Sequence, residues 1–152
     1  MREGLFSSLG GDLSGQAFLD LYAGSGAVGL EAASRGASMV VLVERDARAV
    51  EVLRSNAAAV ALADVVVRAE PVARYLDESQ PIPFDVVFLD PPYADPVTDV
   101  VSRLVEGGWL APDGVVVVER ASRDDEPQWP PGVVGDRSRR YGDSTLWYGR
   151  RP

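Results

Sequence analysis

The chain has 152 residues, of which 46% are hydrophobic, and a formal net charge of −8. It contains neither Cys nor His, which excludes disulfides, a cysteine nucleophile, imidazole metal sites and histidine acid–base chemistry. The length predicts a single compact domain over residues 1–152, and the acidic balance argues against binding to nucleic acid through net charge alone.

Helix-like and strand-like segments alternate along the chain, which is typical of a parallel sheet covered by helices on both faces. Strands are predicted at residues 16–22, 39–44, 65–68, 84–89 and 115–119, and helices at 26–35, after an N-cap at Asp46, at 72–76 and from 95 or 96 to 106. A turn at Pro112-Asp113-Gly114 leads into the fifth strand, and residues 133–140 and 144–149 predict an antiparallel edge hairpin. The predicted fold class is α/β, with a doubly wound, mostly parallel sheet.

The charge is distributed unevenly. All 15 basic residues are Arg, and residues 136–152 contain five Arg and two Asp, which gives this stretch a net charge of +3. We expect either a surface that contacts phosphate or a solvated end that keeps the chain soluble. The five residues are Arg137, Arg139, Arg140, Arg150 and Arg151.

The sequence carries no membrane signal. No apolar run approaches the roughly 20 residues that a spanning helix needs, and Met1-Arg2-Glu3 does not open a signal peptide. We therefore expect a cytoplasmic protein that does not associate with membranes.

A glycine-rich turn, Gly24-Ser25-Gly26-Ala27-Val28-Gly29, follows the first predicted strand. Glycine lets the backbone come close to a ligand, and the N-terminus of the next helix offers free N–H groups. The spacing alone also describes a dinucleotide-binding fold. The turn therefore indicates a cofactor that contains adenosine, without identifying it.

Acidic residues near the turn narrow the choice of cofactor. Glu44 ends the second strand, where a carboxylate can accept both hydroxyls of a ribose. Asp20 precedes the turn, where its charge would repel a pyrophosphate and attract a sulfonium or amino group. Taken singly, Glu44 could be a solvated strand end and Asp20 a cap. Glu70 ends the third strand and either receives the adenine amine or caps the helix that begins at Val72.

The sequence Asp90-Pro91-Pro92-Tyr93 ends the fourth strand. In open parallel sheets, ligands bind beyond the carboxyl ends of the strands, near the point where strand order reverses. An amine could donate its two N–H groups to the Asp90 carboxylate and a proline carbonyl, while Tyr93 stacks on a base that has left its own stack. The pattern predicts a slot for a planar amine and methyl transfer onto nitrogen, and the alternative is a simple strand-ending turn.

The chain resembles the class I S-adenosylmethionine-dependent methyltransferases, and specifically the RsmD family, which methylates the exocyclic N2 of guanine 966 in 16S ribosomal RNA. The resemblance extends over nearly the whole chain, and the opening and closing motifs are those particular to this family. The matching stretches are Arg2-Glu3-Gly4-Leu5-Phe6, residues 19–32, Val43-Glu44-Arg45-Asp46, Asp90-Pro91-Pro92-Tyr93, Trp109-Leu110, Val118-Glu119-Arg120 and Arg140-Tyr141-Gly142-Asp143.

The resemblance implies a Rossmann-like fold and a site without metal. It implies binding of S-adenosylmethionine, with S-adenosylhomocysteine as product, by Asp20, Ala23, Gly24, Ser25, Gly26, Glu44, Arg45, Glu70 and Asp90, and catalysis by Asp90, Pro91, Pro92 and Tyr93. Glu70 replaces the Asp that is more usual there. The implied partner is 16S rRNA or the assembling small ribosomal subunit, bound by a monomer. Relatives carry a basic extension before the segment that matches Arg2, so without it we expect weak substrate binding, whether the sequence is trimmed or naturally short.

Other readings stay open from the residues alone. The same slot fits adenine N6 in DNA or a glutamine amide in a protein. A non-catalytic module that binds the cofactor or the ribosome would use the glycine turn and leave the slot idle. An NAD dehydrogenase is the least favoured reading, because the chain has no His and no room for a substrate domain.

Overall fold

The computed structural model describes residues 1–60, 64–93 and 95–152. These residues form five helices and seven strands. In chain order they are α1 (Arg2–Ser8), β1 (Ala17–Leu21), α2 (Ala27–Ser34), β2 (Met39–Glu44), α3 (Ala47–Val60), β3 (Val65–Ala69), α4 (Val72–Glu78), β4 (Phe84–Leu89), α5 (Val97–Glu106), β5 (Leu110–Ala121), β6 (Val134–Tyr141) and β7 (Ser144–Arg150).

The seven strands form one sheet in the order β3-β2-β1-β4-β5-β7-β6. The five strands β1 to β5 are parallel to one another, whereas β7 runs antiparallel to both β5 and β6. Strand order reverses between β1 and β4, where Asp20 pairs with Phe88 and Leu21 with Leu89. The predicted α/β fold class, doubly wound with an antiparallel C-terminal hairpin, is confirmed.

Helices cover both faces of the sheet because the central strands are apolar on both sides. On one face, Leu5 and Phe6 of α1 and Leu53 of α3 join a buried cluster with Phe18 and Tyr148. The other cluster collects buried side chains of α4 and α5, such as Tyr75 and Leu104, together with Trp109 from the loop after α5, against alternate residues of β1, β4 and β5. The sheet is thus the middle layer of three, and its carboxyl edge is left for a site.

Most element boundaries agree with the sequence prediction to within two residues, and Asp46 is the N-cap expected for α3, since its carboxylate accepts the Ala49 N–H at 2.9 Å. Two features differ. The helix α1 was not predicted. The Pro112-Asp113-Gly114 turn does not precede β5 but lies inside it as an irregularity, because Phe84 pairs with Leu110 before the turn and Val86 pairs with Val115 after it.

None of the helices in the described part of the chain is long and apolar enough to cross a membrane.

Candidate active site

Two cavities adjoin at the carboxyl edge of the sheet, on either side of Tyr22 and Asp90, which line both. The larger, of about 540 Å³, is bounded by β2, β3 and β4 and includes Glu44, Arg45 and Glu70. The smaller, of about 310 Å³, includes Asp20, Ala23 and Ser25 of the glycine turn region, the Met1-Arg2 segment and Glu119. Volumes of this size suit a small-molecule ligand. The location at the reversal of strand order is the one expected for α/β sheets.

The glycine turn takes the backbone from β1 into α2. Gly24 and Gly26 have φ values of 58° and 88°, in the left-handed region that side chains disfavour, and Gly26 forms the N-cap of α2. A Cβ at Gly26 would also collide with Leu53. Asn56 of α3 holds the turn from outside by donating its side-chain N–H to the Ser25 carbonyl at 3.0 Å.

Glu44 is fixed by backbone donors at the end of β2. Its Oε1 accepts the Gly24 N–H and its Oε2 accepts the Asp46 N–H, each at 2.8 Å. A carboxylate has about four acceptor positions, so two of them stay available for ligand hydroxyls. Glu44 is therefore not a strand-end charge that contacts only solvent, because both of its oxygens accept backbone hydrogen bonds.

Asp20 is buried under the turn with 1% of its surface exposed. Its Oδ2 accepts the Gly29 N–H at 3.1 Å, so it also caps the first turn of α2. Burial raises the pKa of Asp20 to about 8, and the negative charges of Asp90 and Glu44 add to this shift. A buried acid with like-charged neighbours favours a cationic ligand, since a cation would stabilise its ionised form.

Glu70 lines the larger cavity and accepts a hydrogen bond from Arg68 Nε at 2.9 Å. The N-terminus of α4 has Pro71 as its cap residue and receives no side-chain hydrogen bond. The alternative in which Glu70 caps this helix is therefore wrong. The carboxylate stands beside the cavity with Arg68 as its partner.

The Asp90-Pro91-Pro92-Tyr93 segment leaves β4 at the border of the two cavities. Asp90 is exposed at the rim, where burial on its protein side raises the pKa of its carboxyl and the charge of Arg120 opposes that shift. Tyr93 is 64% exposed, and its hydroxyl donates to the Asp124 carboxylate, 2.8 Å from each oxygen. Tyr93 lines neither of the two cavities but a separate groove that it shares with Arg120 and Asp124, so the amine slot stays a prediction.

Sequence reasoning did not place three residues at this site. Tyr22 separates the cavities and has a φ of 64°, which is unusual for a bulky residue. Glu119 of β5 lines the smaller cavity, and burial together with the charge of Asp90 raises its pKa. Arg120, beside it, reaches toward Tyr93. The aromatic before the glycine turn and the acid at the end of the fifth strand were the available signals.

The five C-terminal arginines are distributed along the edge hairpin and the residue that follows it. Because β7 is antiparallel to β5, Ser144 pairs with Ala121 at the site edge, whereas Arg150 pairs with Val115 at the opposite edge. Arg139 and Arg140 lie toward the site end of β6. Arg137 donates to the Ser8 carbonyl at 2.6 Å. Arg150 and Arg151 lie away from the site. Contact of this group with phosphate therefore stays a prediction.

Within the described residues, no three acids lie close enough together to hold a metal ion.

The sheet order, the glycine turn and the reversed C-terminal strand define a class I methyltransferase fold. An RNA methyltransferase from Salinibacter ruber, solved in complex with S-adenosyl-L-homocysteine, shares this fold with a TM-score of 0.73 at 22% identity, covering 99% of this chain and 90% of that chain. A conserved hypothetical protein from Streptococcus pyogenes superposes with a TM-score of 0.92 at 29% identity, covering 100% of this chain and 96% of its own.

Residues 1–150 match the family model described as conserved hypothetical protein 95. The chain therefore belongs to this family, the RsmD family, and the resemblance seen in the sequence is confirmed. The Escherichia coli relative named ribosomal RNA small subunit methyltransferase D is 33% identical over 131 residues, which cover 86% of this chain. The matched region spans 66% of the length of that relative.

Proposed function

We propose that this chain transfers a methyl group from S-adenosylmethionine to the exocyclic N2 amine of a guanine in 16S ribosomal RNA, guanine 966 by family resemblance. The observation that carries the proposal is the meeting of the two cavities at Asp90, from which Pro91 and Pro92 lead the chain to the exposed Tyr93. A donor bound across the cavities and a base stacked on Tyr93 would share this one carboxylate. The name of the E. coli relative supports rRNA as the substrate class.

The residues around the cavities fit the cofactor. The Glu44 carboxylate, held by two backbone N–H groups, would accept the ribose hydroxyls. Arg45 and Glu70, which line the larger cavity, would border the adenine. The buried acid Asp20, with Ala23 and Ser25 around the smaller cavity, would stabilise the cationic methionine end. Gly24 and Gly26 keep the backbone between these groups free of side chains.

Bound S-adenosylmethionine supplies an electrophilic methyl carbon on a sulfonium. An exocyclic amine is a poor nucleophile because its lone pair is delocalised into the ring. Hydrogen bonds from its two N–H groups to Asp90 and the Pro91 carbonyl would orient the lone pair toward the methyl group, while Pro92 keeps the backbone rigid and Tyr93 holds the ring. As the N–C bond forms and the C–S bond breaks, the amine becomes a cation, and Asp90 can take its proton. The raised pKa makes Asp90 a better base for this step.

We propose further that the chain works as one domain over residues 1–152, as a cytoplasmic monomer and without metal. The C-terminal arginines would contact the RNA, and of these Arg139 and Arg140 lie at the site end of β6. With a net charge of −8, affinity for RNA should be low.

Labelled methyl transfer to small ribosomal subunits, duplex DNA and release factor tests the acceptor. We expect label in 16S rRNA alone, and label in DNA or protein would move the proposal to adenine N6 or a glutamine amide. Calorimetry that detects no S-adenosylmethionine binding would favour a non-catalytic module.

The role of Asp90 is tested with the substitution Asp90→Ala. We expect methyl transfer to be abolished and cofactor affinity to be largely kept, because Glu44 and Asp20 are unchanged. Asp99→Ala, which removes an exposed acid of α5, is the matched control and should retain activity. Equal turnover in Asp90→Ala and the wild type would refute the role.

A further inference from the structure

Arg120, at the end of β5, extends its side chain into the amine slot. Its guanidinium carbon lies 5.1 Å from the centre of the Tyr93 ring, and its Nη1 donates to the Pro91 carbonyl at 3.5 Å. It is also close enough to Asp90 to lower the pKa of that carboxyl. The Tyr93 ring, the Pro91 carbonyl and the Asp90 carboxylate are the three groups that would hold the target base. The guanidinium therefore lies where the base would have to lie.

A guanidinium resembles the edge of guanine that carries the N2 amine. Both are planar, and both present adjacent N–H donors around one carbon, which in guanine are N1–H and the N2 amine on C2. Each can stack on an aromatic ring and donate to a carbonyl and a carboxylate. Adenine differs because the ring nitrogens on both sides of its amine, N1 and N7, are acceptors, whereas guanine has the N1–H donor on one side of its amine. A slot that holds a group with donors only is thus better matched to guanine than to adenine.

We propose that Arg120 is a specificity-determining residue that competes with the acceptor base for the slot, so that a base enters only by replacing the contacts of the guanidinium with Tyr93 and Pro91. This inference rests on the proposed function of the slot. A base that cannot stack on Tyr93 and donate to Pro91 leaves Arg120 in place. Competition of this kind acts on binding and not on the chemical step, so its signature is a change in KM for RNA with kcat unchanged.

The Tyr93 ring is held independently of Arg120. Its hydroxyl donates to Asp124, 2.8 Å from each carboxylate oxygen, and Arg123 Nη2 approaches the same hydroxyl at 3.5 Å. Removing Arg120 should therefore open the slot and leave the ring in position. Arg123 offers a matched control, because it carries the same charge three residues further along the chain and contacts the hydroxyl instead of the ring face.

Guanidinium ion at low millimolar concentration probes the slot directly, with sodium chloride at equal ionic strength as reference. Methyl transfer to small ribosomal subunits is measured for the wild type, Arg120→Ala and Arg123→Ala. In Arg120→Ala we expect guanidinium to raise KM for RNA without changing kcat, whereas the other two proteins respond as they do to sodium chloride. Without guanidinium, KM for RNA in Arg120→Ala should be about two- to fivefold below that of Arg123→Ala, the range set by an exposed cation–π contact. Equal guanidinium sensitivity of the three proteins would overturn the proposal.

A second measurement needs no methyl transfer. Titration of the Asp90 carboxyl by carbon NMR should give a higher pKa in Arg120→Ala than in the wild type, and added guanidinium should lower it again. Arg123→Ala should show neither response. If the wild type methylates no RNA, the proposed function fails while this titration still reports what the slot holds. If guanidinium leaves the Asp90 titration of Arg120→Ala unchanged, the inference fails on its own.

Discussion

The buried acid Asp20 makes cofactor affinity depend on pH. With a pKa of about 8, roughly a tenth of its carboxyls are ionised at pH 7. A cationic ligand favours the ionised form, so binding at neutral pH should release about one proton. The affinity for S-adenosylmethionine therefore rises with pH, and it levels off once the pH exceeds the pKa of Asp20 in the free protein. For a carboxyl that is ionised throughout in the complex, the expected gain between pH 5.5 and 7.5 is about 80-fold.

Calorimetric titration of S-adenosylmethionine in two buffers of different ionisation enthalpy measures both the affinity and the proton release. The range stops at pH 7.5 because an α-amino group itself titrates at about 7.7–8.0. Asp20→Asn keeps an oxygen to accept the Gly29 N–H but cannot ionise, so it should bind more weakly and lose the pH dependence. Asp99→Asn, on the surface of α5, should behave as the wild type. A flat affinity profile in the wild type, or the same slope in Asp20→Asn, would refute the reasoning.

Two further substitutions test the frame of the site. Glu44→Gln places an amide N–H₂ against one of the two backbone N–H groups that Glu44 now binds. In calorimetry it should weaken S-adenosylmethionine binding by about 1.5–3 kcal/mol. The exposed substitution Glu51→Gln is the control, and equal affinities of the two variants would contradict the role of Glu44. Gly4→Ala places a Cβ against the hydroxyl and ring of Tyr141. In urea denaturation it should lower the free energy of unfolding by about 1–3 kcal/mol, whereas the exposed substitution Ser7→Ala in the same helix should leave it unchanged. Unchanged stability in Gly4→Ala would show that α1 can shift without cost.

The sequence was sufficient for the sheet because its strands are short apolar runs bounded by turn residues. Val40 to Val43 and Val86 to Leu89 are buried on both sides, as unbroken apolar runs predict. The helix α1 was missed because it has only seven residues, which is too short for a periodic pattern, and no side chain caps its N-terminus.

The site could be predicted only in part, because chain order does not determine which strands are neighbours. The glycine turn and the Asp90-Pro91-Pro92-Tyr93 segment were found from local spacing. The positions of Glu119 and Arg120 depend on β5 lying next to β4, which becomes evident only in the folded sheet. The C-terminal arginines show the reverse case: they are close in sequence, but the antiparallel hairpin carries Arg150 to the far edge of the sheet.

The contact between α1 and the last two strands has a consequence for synthesis on the ribosome. Leu5 and Phe6 share one cluster with Leu146 and Tyr148, and Gly4 lies against Tyr141. Met1 and Arg2, just ahead of these residues, form part of the wall of the smaller cavity. During synthesis, this part of the wall can therefore take its place only after β6 and β7 have left the exit tunnel and packed against α1.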